Sequence, residues 1–171
     1  MKKIIVIGCS GSGKSTFARK LSALVNIPLY YLDMLWYKSD KTTLLREDFD
    51  EKLRNLMRKS EWIIEGNYQR TLEMRLKECD TVFLLDIPTD ICLEGAISRI
   101  GKKRVDLPWL ETEFEEGFRQ WICDYSNKVL PKIYELLDKY RQGRQIYIFK
   151  TRNETDQYLQ SLATASSIAD K

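Results

Sequence analysis

The chain has 171 residues, 43% hydrophobic and 31% charged, which suits one compact domain over 1–171 and excludes a disordered chain. Its 28 basic and 25 acidic residues leave a net charge of +3, so nucleic-acid binding stays possible without support from composition, and a polyanion-coating protein is excluded. The absence of His removes imidazole from any mechanism, and the scattered Cys9, Cys79, Cys92 and Cys123 form no C-x-x-C pair, so neither a zinc site nor a disulfide framework is expected.

Ile4 to Ile7, closed by Gly8, read as a short buried strand at the very start of the chain. That leaves no room for a signal peptide, and no apolar run approaches a membrane span; a reduced cytoplasm and no membrane partner are the expectation. Gly8-Cys9-Ser10-Gly11-Ser12-Gly13-Lys14-Ser15 then matches G-x-x-x-x-G-K-[ST] at every fixed position. Glycines let the backbone form a concave loop whose N–H groups converge on phosphate oxygens. Lys14 supplies a mobile charge for the β- and γ-phosphates, and the Ser15 hydroxyl can ligate Mg²⁺. Thr16 to Leu24 reads as a helix, which sets the phosphates on a helix N-terminus. Gly8, Ser10, Gly11, Ser12, Gly13, Lys14, Ser15 and Thr16 are therefore the expected nucleoside-triphosphate set, with ATP and Mg²⁺ as cofactors.

Beyond Asn26-Ile27-Pro28, Leu29 to Leu32 reads as a second strand ending at Asp33, and Met34 to Thr43 as mixed structure carrying Trp36 and Tyr37. Phe49, Leu53, Leu56 and Met57 recur at helical spacing within Arg46–Lys59. Trp62 to Ile64 is a third strand ending at Glu65-Gly66-Asn67, followed by a short helix over Arg70–Lys77. Thr81 to Leu85 is the fourth, ending at Asp86, with a helix from Thr89 to about Ile100 and then the basic Gly101-Lys102-Lys103-Arg104. Trp109 to Arg141 reads as a long helical region, kinked or split at Pro131, with Phe114, Phe118, Trp121, Ile122, Tyr125 and Val129 on one side; its aromatic residues could stack bases, but their helical spacing favours core. Gln145 to Phe149 is the fifth strand and Asn153 to Leu162 the last helix; the tail 163–171 should fray. Alternating strands and helices predict an α/β fold in three layers, a five-stranded parallel sheet with helices on both faces. Ligands should then sit at the C-terminal strand ends, where Asp33, Glu65 and Asp86 fall. A turn or cap suffices for Asp86.

Together these segments resemble the adenylate-kinase-like group of P-loop phosphotransferases. More narrowly, YYLDMLW and WIIEGNYQRT, with TVFLLDIP, resemble bacterial topology-modulation proteins. Similar nucleotide kinases carry Asp-Gly-Phe-Pro-Arg-Thr after the third strand. Here the stretch is Glu65-Gly66-Asn67-Tyr68-Gln69-Arg70-Thr71, with a longer acid and one residue inserted before the arginine. The resemblance implies a small helical lid over about 100–125 and assigns roles. Asp33 would orient the acceptor hydroxyl, take its proton or help hold Mg²⁺; Glu65 would hold the metal's water shell beside Ser15. Arg99, Lys103 and Arg104, with Lys102, stand where similar kinases carry lid arginines that neutralise the transferring phosphoryl, although lysine cannot grip bidentately. Related nucleoside monophosphate kinases place a phosphate-gripping arginine after Asp-Met-Leu, where this chain has Trp36. Either Arg46 or Arg70 replaces that cation, or the acceptor is an uncharged hydroxyl or a base stacked on Trp36 or Tyr37. The expected activity is a Mg-ATP-dependent kinase acting on a small-molecule acceptor, a nucleotide or nucleoside as first guess. The alternatives are a nucleotide-hydrolysing switch associated with DNA topology and a degenerate P-loop protein that binds without catalysis.

Overall fold

The computed structural model describes residues 1–169. Ile4, Ile5, Val6 and Ile7 are fully buried because β1 (Lys3–Gly8) is the central strand of the sheet. On one side lie β3 (Trp62–Glu65) and then β2 (Leu29–Tyr31); on the other lie β4 (Thr81–Leu85) and β5 (Gln145–Phe149). Every pairing is parallel, so the near-continuous apolar runs of β1, β3 and β4 are those of strands covered on both faces. The register puts Glu65 opposite both Val6 and Tyr31, and Leu85 opposite Gly8. Strand ends therefore come level along one edge, where the chain reverses direction around β1.

Helices close the layers: α1 (Lys14–Val25), α2 (Leu32–Trp36), α3 (Arg46–Met57), α4 (Leu72–Glu78), α5 (Thr89–Ile97), α6 (Glu116–Asp124), α7 (Leu130–Lys139) and α8 (Arg152–Ala169). Phe49, Leu53, Leu56 and Met57 of α3 are all buried, as their spacing predicts, each contributing about 1.5–3 kcal/mol on leaving water. Among the described residues no helix is long and apolar enough to cross a membrane.

Three boundaries differ from the sequence expectation. β2 stops at Tyr31, and Asp33 falls in the first turn of the short α2 rather than at a strand end. The long helix expected from Trp109 begins only at Glu116; residues 101–115 are irregular, with the Gly101 amide donating to the Glu111 carbonyl at 2.7 Å to close them into a loop. Pro131 has no N–H and its ring excludes the carbonyl four residues earlier. The chain accommodates this by widening into a single π turn over Tyr125–Val129, which leaves Pro131 in the first turn of α7. The last helix extends to Ala169, past the expected end at Leu162; of the tail expected to fray from 163, positions 170 and 171 lie outside the described residues.

Candidate active site

The loop between β1 and α1 is shaped by what it lacks. Gly13 caps α1 at φ 99 with no side-chain hydrogen bond, so the first amides of that helix are left for a ligand. A Cβ on Gly11 would stand 1.9 Å from the Cys92 carbonyl oxygen, and one on α5's Gly95 would stand 2.2 Å from the Gly11 carbonyl oxygen. Loop and α5 touch through two glycines, and Arg152 at the start of α8 donates to the carbonyls of Gly11 at 2.8 Å and Ile91 at 3.2 Å. An uncapped helix start, a glycine cradle, a lysine and a serine are the donor set that a Mg-bound triphosphate needs, and the residues fit it.

Lys14 Nζ lies 3.5 Å from Glu65 Oε1, with the side chains only 12% and 5% exposed. Burial pushes the Glu65 carboxyl up, and the Lys14 ammonium opposes that shift. Behind it, fully buried Arg75 donates to the carbonyls of Gly66 at 3.0 Å and Tyr68 at 2.8 Å, pinning the loop that follows β3. Burial lowers this guanidinium to about 10, so it keeps its charge at neutral pH.

Two clefts open onto this edge. One, of about 670 Å³, is lined by Gly11–Phe17, by Gly95 and Ser98, by Lys103 and Asp106, and by Arg152 and Thr155. The other, of about 490 Å³, is lined by Ser10, Asp33, Tyr37, Asn67, Tyr68, Trp109, Phe118 and Trp121, among others. Lys14, Ser15, Arg99 and Arg104 line both and form the neck between them. In the second cleft Tyr68 Oη donates to Asp33 Oδ1 at 2.7 Å. Burial and the Asp33 charge push the Tyr68 phenol up, so it stays a neutral donor.

The neck arginines are already paired. Arg104 donates through Nε and Nη2 to Asp106 at 3.1 and 2.6 Å, and through Nη1 to Glu111 Oε2 at 2.6 Å. Arg99 Nε lies 3.4 Å from the same Glu111 oxygen and is buried without a hydrogen bond. Burial would raise the Asp106 carboxyl, but hydrogen bonds and charge from Arg104, helped by the Ser15 hydroxyl, outweigh it and hold Asp106 at about 2.

Of the residues expected from sequence, Gly11, Ser12, Gly13, Thr16 and Lys103 line the first cleft, Ser10 and Asp33 the second, and Lys14, Ser15, Arg99 and Arg104 both. Gly8, at φ 152, packs within the fold, and Glu65 lines neither cleft and reaches them through Lys14. Among the described residues no three His, Cys, Asp or Glu side chains gather into a group that could hold a metal ion. Trp36 is spent on packing against Phe49 and Tyr68 at ring distances of 5.1 and 6.3 Å; Tyr37 reaches the second cleft, edge-on to Trp109 at 4.8 Å. Arg70 makes a bidentate pair with Asp50 at 2.7 and 2.6 Å, and neither it nor Arg46 lines a cleft. The apolar side of α6 and the π turn after it divides: Ile122, Tyr125 and Val129 are buried core, whereas Phe118 and Trp121 line the second cleft. Asp86 accepts from Tyr134 at 2.6 Å and pairs with Lys150, a structural role in keeping with its turn position.

No protein-family model matches the chain, and no curated protein does. Solved structures do. The shikimate kinase of Acinetobacter baumannii in complex with shikimate aligns over 100% of this chain and 95% of its own at 18% identity, TM-score 0.59. The shikimate kinase of Bacteroides thetaiotaomicron aligns over 96% and 97% at 16% identity, TM-score 0.55. That of Aquifex aeolicus aligns over 98% and 97% at 19% identity, TM-score 0.51. At these identities the likeness is one of fold: the chain has the P-loop kinase fold.

Proposed function

We propose that this chain is a Mg-ATP-dependent kinase of a small hydroxylated molecule. The observation that carries the reading is the neck: Lys14, Ser15, Arg99 and Arg104 belong to both clefts, so a triphosphate in the first would present its γ-phosphorus to a hydroxyl in the second.

In this reading the uncapped start of α1 and Lys14 hold the phosphates, and Ser15 ligates Mg²⁺, which supplies charge neutralisation to the phosphate oxygens. Glu65 fixes the Lys14 side chain from below. Asp33, aligned by the Tyr68 hydroxyl, orients the acceptor hydroxyl and accepts its proton as the new O–P bond forms and the β–γ bridging bond breaks. Arg99 and Arg104 face the charge that spreads over the equatorial oxygens, with Lys103 beside the donor phosphates. The segment 100–125 serves as the lid that brings these cations in and excludes water.

The shikimate kinase fold supports phosphotransfer, and LDMLW with IIEGNY supports a place beside the topology-modulation proteins. ATP use and unpaired thiols suit the cytoplasm. The test is a coupled assay of ADP release from Mg-ATP over a panel of hydroxylated acceptors, with Lys14→Ala alongside. Acceptor-dependent turnover that Lys14→Ala abolishes is expected. Slow hydrolysis indifferent to every acceptor would overturn the proposal.

A further inference from the structure

We infer that the acceptor is a ring-bearing alcohol carrying no anionic group. The inference rests on the kinase reading above and narrows it to a substrate class.

The first observation is where the cations are. Arg99 and Arg104 sit at the neck, tied to Glu111 and Asp106, where the donor phosphates would claim them. Arg46 and Arg70 lie outside the cleft. Glu111 is spent on Arg99 and Arg104; beyond the neck the second cleft is lined by Asp33, Glu113 and Glu115 against Lys41. A phosphate or carboxylate on the acceptor would enter beside the half-buried Asp33, with the exposed Glu113 and Glu115 leaving the balance outside the neck negative despite Lys41.

The second observation is the wall. Tyr37 and Trp109 meet edge-on at 4.8 Å, and Phe118 and Trp121 lie parallel, 8° apart with centroids at 6.1 Å. Trp121 is 36% exposed, which leaves ring surface for a ligand. Flat or apolar ring faces, including those of bases and of sugars, are what such a surface holds.

The third is a donor left without a partner. The Asn67 amide nitrogen is buried with no hydrogen bond and belongs to a residue lining the same cleft as Asp33. A neutral amide donor and a carboxylate acceptor lining one cleft are complementary to hydroxyl groups, which both accept and donate.

The test compares matched acceptors in the ADP-release assay at fixed Mg-ATP: adenosine, guanosine, cytidine and thymidine beside their monophosphates, and glucose and glucosamine beside glucuronate. At least one uncharged or amine-bearing member is expected to raise turnover, and its anionic counterpart to be at least about tenfold lower in kcat/KM. With the accepted alcohol, Trp109→Ala, which touches only the second cleft, is expected to raise the acceptor KM about tenfold and leave the ATP KM within twofold. An anionic member equal to or better than its neutral counterpart would overturn the inference while leaving the kinase reading intact. No response to any member would overturn both.

Discussion

Lys14 Nζ and Glu65 Oε1 stand 3.5 Å apart at the meeting point of β1's loop and the end of β3, both nearly sealed from water. The pair has a pH signature. Burial raises the Glu65 carboxyl, so its ionised form costs stability, a cost that grows as pH rises above the ordinary value of 4.5. Lys14 offsets that cost. Lys14→Ala should therefore be nearly as stable as the parent at about pH 4, where Glu65 is protonated in both, and progressively less stable toward about pH 8. Urea unfolding across that range checks it; a stability gap independent of pH would show that the two charges do not couple.

Asp33 receives the Tyr68 hydroxyl at 2.7 Å, and the two residues share the second cleft. If Asp33 acts on the acceptor as proposed, Asp33→Asn should lower kcat about 10²–10⁴-fold with ATP affinity unchanged. Tyr68→Phe removes one alignment hydrogen bond and should cost about tenfold or less. Steady-state kinetics with nucleotide titrations separate the two effects; a weakened ATP affinity in Asp33→Asn would place the carboxylate with the metal instead.

Gly95 lies on α5, remote in sequence from the phosphate loop, yet a Cβ there would meet the Gly11 carbonyl oxygen at 2.2 Å and Arg152 Nη2 at 2.6 Å. Gly95→Ala gains about 1 kcal/mol of helix propensity, but the clash is with backbone and must displace the loop. We expect weaker ATP binding by tenfold or more together with a lower Tm. Calorimetric titration would measure it, and an unchanged affinity would mean that α5 gives way instead.

The hydrogen bonds from Arg104 hold Asp106 at about 2 against an ordinary 3.8. A depressed carboxylate contributes stability that is fully present above its unfolded value and is lost as pH falls through its folded one. The side chain is 5% exposed, and the shift corresponds to about 2 kcal/mol lost between roughly pH 5 and pH 2. The parent should lose stability more steeply than Asp106→Asn across that window. Parallel slopes would mean that the Arg104 contact contributes nothing to folding.

Local signals made much of this molecule legible. The phosphate loop is a contiguous motif, and buried strands such as Ile4–Ile7 and Thr81–Leu85 advertise themselves as apolar runs. The rule that ligands gather at strand ends pointed to Asp33, which lines the second cleft even though it sits in a helical turn. What stayed hidden depends on contacts between distant segments. Arg152 bonds a carbonyl 141 residues away. Asp106 and Glu111 gain meaning only once an irregular loop folds over Arg104, and Arg75 only once α4 turns it beneath the loop after β3. Aromatic residues were the hardest to sort. No periodicity told Trp36, which packs on Phe49, from Trp109, which lines the cleft, because both lie where spacing carries little information.

Phosphoryl transfer across the neck, proposed to run from one cleft to the other, is followed through the fate of the γ-phosphorus. Mg-ATP would be consumed in the presence of a small-molecule cell extract and followed by phosphorus NMR, with Lys14→Ala as control. A phosphate monoester should grow as ATP falls. Inorganic phosphate as the sole product, at the same rate with and without the extract, would contradict it.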